Sequence, residues 1–443
     1  MLENDPQEVA FAPTEATTTS SNQPIRHERR NWLAFFFDYV MFGLALTILN
    51  PNTTMPAFAA RLTDSKVLIG LVGTIWFGGW LLPQLFAANY LNTQARKLPH
   101  LLRAAWVGRP FFFVFALFLW WGGATYPAWI LFVFLAGFLL FMLTDGFAAL
   151  AYFDMLGKSM SAKGRSRMLG SAQATRGILT LGIGWWIQRL LSAEGPTFPV
   201  NYAAVFGLAG LFLMLALLAS YFIVEPPGVV ESSMTRWRDY FPRLRSLLRN
   251  DRSFVRITAV RLLAGLHMLA GSFYVIYATQ VANQPEAAVA LFFTTQTIGG
   301  AIGGVILGLV ATRFGSRRVV QISVCCDLAT ITVALIMAAL GKPEETAWLF
   351  PVIFGLLGVI DAAMMLGYFN YVLDIAPHTE RATYIGLTNT LAGLLAIAPI
   401  AGGWILEQSS YVVLFAATAL MILPALFLAW SLPQSGKITE NHT

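Results

Sequence analysis

The 443-residue chain is 57% hydrophobic and 12% charged, about half the roughly 25% charge of a water-soluble domain. Its apolar residues fall in blocks of ~20, the length of helix that crosses a ~30 Å hydrocarbon layer, which excludes a soluble globular fold. The net charge of +6 does not indicate a nucleic-acid partner, because the basic residues lie between alternate apolar blocks and form no single patch.

Residues 1–30 are polar and carry a Thr/Ser run from Thr17 to Ser21. No apolar core precedes Arg26, Arg29 and Arg30, so the stretch reads as a disordered cytoplasmic tail and not as a signal peptide. Six helices are predicted near 31–50, 67–90, 101–121, 127–153, 166–190 and 201–224, making a bundle over 31–224. A basic linker, 225–254, follows. Its Trp237, Tyr240, Phe241, Leu244, Leu247 and Leu248 recur at roughly helical spacing, which fits either an amphipathic helix on an anionic leaflet or a plain basic connector. Six more helices are predicted near 255–279, 288–311, 319–340, 347–373, 383–406 and 411–431, forming a second bundle over 255–431 before a tail, 432–443. The fold class is therefore all-α and polytopic, with twelve spans. Cys325 and Cys326 are adjacent and read as buried thiols.

The loop charges test the count. Twenty Lys and Arg, from Arg26 through Arg96, Lys97, Lys158, Arg165 and the linker to Arg313, Arg317, Arg318 and Arg381, fall on one side. Arg61, Lys66, Arg189 and Lys342 alone fall on the other. Such an excess marks the cytoplasmic face and places both termini there, in a cell membrane.

The halves repeat. A shift of 216 residues lays Asp145, Leu150, Tyr152, Phe153, Arg165, Gly170, Gly177 and Leu179 on Asp361, Leu366, Tyr368, Phe369, Arg381, Gly386, Gly393 and Leu395. A shift of 221 lays Gly78, Gly79, Arg96 and Lys97 on Gly299, Gly300, Arg317 and Arg318. Repeats that start on the same face are parallel, about an axis along the membrane normal.

Between the eighth and ninth predicted spans stands Gly308-Leu309-Val310-Ala311-Thr312-Arg313-Phe314-Gly315-Ser316-Arg317-Arg318. With the topology and the repeat, this loop resembles that of the major facilitator superfamily over about residues 31–431. The superfamily's aspartate is Thr312 here, and the matching first-half loop keeps only Arg96 and Lys97. The resemblance implies a secondary transporter that moves a small solute by alternating access, with protons as coupling ion and membrane lipids around a functional monomer. A scaffold or sensor that keeps the fold without transport is the alternative. Ala398-Pro399-Ile400-Ala401-Gly402-Gly403 is similar to an antiporter element, but stands in the eleventh span and not the fifth.

Charges within the hydrocarbon cost about 2.5–3.5 kcal/mol each on insertion scales, so each needs a partner or a task. Asp38, Arg176 and His267, with Gln173 and Gln296, are candidates for substrate or proton contact, and Asp38 is the better proton site. Asp145, Asp361, Arg165, Arg381 and Arg261 are candidates for gating or salt bridges. Arg109 and Asp327 belong to spans that the resemblance makes peripheral, which favours a structural role. Trp76, Trp80, Asn89, Asn370 and Asn389 could line a cavity for an amphipathic solute. Gly299, Gly300, Gly303, Gly304 and Gly308 form a small-residue face for close helix packing. No phosphate-binding loop, HExxH, paired-cysteine motif or DDxxD cluster occurs, so no ATP drive, metal, cofactor or enzymatic activity is expected.

Overall fold

A computed structural model describes residues 27–122, 126–228, 242, 245–246, 248–377 and 381–433. Most of the amino tail, the carboxyl tail from 434 and nearly all of the linker's apolar pattern lie outside the described residues. The described chain is helical, with no strand among the described residues. In the first half α1 is Glu28–Ile48, α2 Lys66–Asn92, α3 Leu98–Trp121, α4 Pro127–Ser159, α5 Ala162–Leu190 and α6 Val200–Ser220. In the second, α7 is Arg252–Val281, α8 Ala288–Phe314, α9 Ser316–Leu340, α10 Ala347–Ile375, α11 Tyr384–Gln408 and α12 Tyr411–Trp430. Eleven of these are long and apolar enough to cross a bilayer; α5 has the length, but its arginines lower its apolarity.

The ends follow local chemistry. Ser65, Ser161, Asp251 and Ser410 cap α2, α5, α7 and α12 by accepting from backbone N–H groups, which satisfies donors that a helix start leaves open. α3 breaks at Arg109-Pro110, where proline supplies no N–H. Gly315 stands at φ 80° between α8 and α9, a conformation that favours glycine. Its neighbour Arg317 donates to the Trp430 carbonyl at 2.7 Å, tying the loop motif to the end of α12.

Three second-half helices are irregular. α7 ends in a π-turn at Tyr277–Val281, α10 carries one at Met364–Phe369, and α11 tightens to a 3-10 turn at Gly393–Ile397. Such departures mark hinges and functional sites more often than plain packing.

The two halves meet along α2–α11 and α5–α8. Their polar links cluster at the end away from the basic loops, called here the opposite end. There Arg61 pairs with Glu286 at 3.2 Å, Lys66 donates to Gln280 at 2.8 Å, and Ser65 to Glu407 at 2.7 Å. Backbones also touch. A Cβ on Gly70 would lie 2.2 Å from the Pro399 carbonyl oxygen, and one on Gly403 2.3 Å from that of Lys66. The Pro399–Gly403 element thus forms the close backbone contact between α2 and α11. The glycine face of α8 works differently: Gly299 and Gly303 pack on Gly355 and Val359 of α10, inside one half, while Gly304 and Gly308 face open space.

Candidate functional site

A cavity of about 460 Å³ lies between the halves, within the size range of small-molecule sites. Phe42, Leu46, Trp76, Trp80 and Met142 give it apolar walls, and Asp38, Arg109, Asp145, Arg176, Arg261, His267 and Asp327 all line it. Seven acidic or basic side chains thus line one cavity between two bundles, and each is costly in hydrocarbon without a partner or water.

In the first half the charges are grouped around Arg109. It donates to Asp38 at 3.2 Å, and both side chains are almost sealed, at 5% and 3% exposure. Ser220 of α6 donates to the same carboxylate oxygen at 2.9 Å. The guanidinium also lies 4.9 Å from the Phe42 ring centre, a cation–π contact. Asp145 lines the cavity beside this pair, but among the described residues no cation stands within 4 Å of it. Sequence reasoning separated Asp38 from Arg109; the break at Pro110 brings them together.

The second half has its counterpart. His267 Nδ1 lies 3.0 Å from Asp327 and 3.1 Å from the Ala264 carbonyl oxygen. The Ala264 carbonyl can only accept, so a proton belongs on Nδ1. Asp327 Oδ1 makes no hydrogen bond among the described residues and pairs with the ring only by charge, when the imidazole is protonated. Arg261 donates to Asn389 at 3.0 Å. Arg176 crosses α1 where Gly43 has no side chain: a Cβ there would stand 2.5 Å from Arg176 Cδ.

Gln296 and Asp361 sit behind the cavity in a chain that joins the halves. The Asn52 N–H donates to Asn50 Oδ1 at 2.8 Å, Asn50 Nδ2 to Gln296 Oε1 at 3.1 Å, and Gln296 Nε2 to Asp361 at 2.9 Å. A backbone N–H can only donate, so it orients both amides and makes Asp361 the final acceptor. No sequence pattern singled out Asn50 or Asn52; the only local signal is the Asn-Pro-Asn run that ends α1.

Other candidates lie elsewhere. Gln173 is exposed and outside the cavity wall, and Arg165 lies in the first turn of α5. The side chains of Arg381 and Asn89 are outside the described residues. Asn370 donates to the Leu366 carbonyl. At the basic end the first half holds a cluster that the motif did not reveal: Lys97 and Lys158 meet Asp154 at 2.8 and 3.0 Å, and Lys158 meets Glu225 at 2.8 Å. Glu225 also accepts from the Lys97 and Leu98 N–H groups. A second crevice, about 1270 Å³ and mostly apolar, runs between α2, α4 and α11 and includes Asn389.

The model of the family described as Major Facilitator Superfamily matches residues 32–394 and, in a second match, 262–442. The chain belongs to the major facilitator superfamily. Superfamily membership makes it an integral membrane protein and a secondary transporter. Solved structures agree on the fold. A variant of the nucleoside transporter NupG superposes with a TM-score of 0.66 at 13% identity, covering 91% of this chain and 99% of that one. A D-xylose-proton symporter gives 0.66 at 14% identity, with 92% and 98% covered. A bacterial homologue of the human lysosomal transporter Spinster, inward-facing and unoccupied, gives 0.61 at 13% identity, with 94% and 98% covered. No curated protein matches the chain.

Proposed function

We propose that the protein is a proton-coupled transporter in which Asp361 links protonation to the contact between the halves. The observation that carries this reading is the Asn52–Asn50–Gln296–Asp361 chain, which crosses from one half to the other and ends on a buried carboxylate. A hydrogen bond to a charged acceptor is worth about 1.5–3 kcal/mol, and one to a neutral acceptor about 0.5–1.5. Protonating Asp361 therefore weakens the chain by about 1 kcal/mol, roughly fivefold in the balance between closed and open forms. The opposite end then opens more readily when a proton is bound. His267 Nε2 and Asp145, on the cavity wall, are the further groups that could exchange it.

The polar links between the halves stand at the opposite end, which supports access to the cavity from the basic end. The excess of loop charges supports a cytoplasmic position for that end. The cavity is complete within one chain, which supports a functional monomer in the cell membrane. The D-xylose-proton symporter of the same fold is a proton-coupled relative by its description.

The test is transport in proteoliposomes, using solutes that raise the apparent stability of the purified protein. A pH gradient is expected to drive their accumulation. Asp361→Asn is expected to remove that drive while passive exchange continues. Transport indifferent to the gradient in the unsubstituted protein would end the coupling reading. Binding without any transport would favour the scaffold alternative.

A further inference from the structure

Most charges on the cavity wall are matched. Arg109 is paired with Asp38 and Asp327 lies against His267, while Asp145 has no cation within 4 Å among the described residues. Arg176 and Arg261 are not matched. Neither has a carboxylate within 4 Å among the described residues, and the Nε of each is buried with no hydrogen-bond partner. Among the described residues, the one side-chain hydrogen bond of Arg261 is to the neutral amide of Asn389.

An unpaired guanidinium in such a place is expensive, and two on one cavity repel each other. They come from different halves, α5 and α7, and Gly43 leaves the gap through which Arg176 reaches the cavity. A planar fork of N–H donors matches a carboxylate or a similar oxyanion. The remaining wall, with Phe42, Leu46, Trp76, Trp80 and Met142, suits an apolar or aromatic body.

From these residues we infer that the solute is an amphipathic organic anion, its charged group held between Arg176 and Arg261 and its apolar body against the tryptophans. The inference rests on the reading of this cavity as the solute site. An anion placed there would cancel the unmatched charge and draw the halves together, as the translocating form requires.

The test is equilibrium binding to the purified full chain at one neutral pH, with three probes of one shape: 2-naphthoate, 2-naphthylmethanol and 2-naphthylmethylamine. The anion is expected to bind at least about tenfold tighter than the alcohol, and the amine no better than the alcohol. Arg176→Gln and Arg261→Gln are each expected to lose about tenfold in naphthoate affinity and to leave the alcohol unchanged. Arg176→Gln is not expected to lower the Tm of the empty protein, and Arg261→Gln is expected to cost no more than its one hydrogen bond to the neutral Asn389 amide. An equal loss for both probes, a preference for the alcohol or amine, or an empty protein destabilised by both substitutions would overturn the inference. The comparison of the three probes on the unsubstituted protein does not involve the Asp361 chain. An anion preference with transport indifferent to pH would sink the proton reading alone, whereas pH-driven transport without an anion preference would sink this one alone.

Discussion

Asp38 of α1 accepts a hydrogen bond from Arg109 of α3 at 3.2 Å inside the first bundle. The second bundle repeats the link between its own first and third helices, His267 of α7 and Asp327 of α9 at 3.0 Å, with acid and base exchanged. Each bundle thus ties its first and third helices through a polar pair on its own wall of the cavity, at positions that neither repeat shift superposes.

Removing one partner of a buried pair strands the other. Asp38→Asn is expected to destabilise by about 3–5 kcal/mol, because Arg109 is left charged in an apolar site. The double substitution Asp38→Asn with Arg109→Met should recover most of that loss. Thermal unfolding of the two single variants and the double, read as a cycle, measures the coupling. Additive losses would contradict the pairing.

The helices and the repeat were legible in the sequence because hydrocarbon imposes its own length and charge rules on each segment independently. The partnerships were not. Asp38 and Arg109 are 71 residues apart, and nothing local says that Pro110 breaks α3 so that Arg109 faces the cavity wall. Asn50 and Asn52 are ordinary polar residues in a loop, and matter only because Gln296 lies 246 residues away. The glycine face of α8 was readable as packing, but whether it packs within a half or between halves depends on the partner helix. Gln173 reads as a cavity residue by polarity and depth, yet helix rotation leaves it outside.

Two glycine positions separate packing from conformational change. Gly70→Ala places a methyl against the Pro399 backbone at the junction of the halves. Overpacking there is expected to cost about 1–3 kcal/mol in the closed opposite end. Cysteine accessibility at that end should rise. Gly299→Ala meets the Gly355 backbone within one half. It should lower Tm by a similar amount of stability without exposing the opposite end. Identical accessibility in the two variants would refute the distinction.

The Arg61–Glu286 pair is a weak latch. Its side chains are 49% and 25% exposed, and exposed pairs contribute about 0–1 kcal/mol. Burial raises the Glu286 pKa, and Arg61 and Asn201 only partly oppose that. A carboxyl with a raised folded pKa contributes stability when protonated, below its unfolded pKa, and loses it as pH rises through the folded value. Glu286→Gln should therefore leave the Tm unchanged or slightly raised at neutral pH, with the difference vanishing at acidic pH. A large fall in Tm at neutral pH would show that the ionised pair stabilises the fold.

The central claim is that the two bundles rock about the cavity under control of Asp361. It is tested most directly by paired spin-label distances in lipid nanodiscs, with Cys325 and Cys326 replaced by alanine. One pair, Glu194→Cys with Glu345→Cys, spans the opposite end; the other, Arg96→Cys with Arg313→Cys, spans the basic end. Acidification should lengthen the first distance and shorten the second in the same molecules, and Asp361→Asn should hold both near their acidic values at every pH. Distances that never change in opposite senses, or a pH response that survives Asp361→Asn intact, would contradict the account.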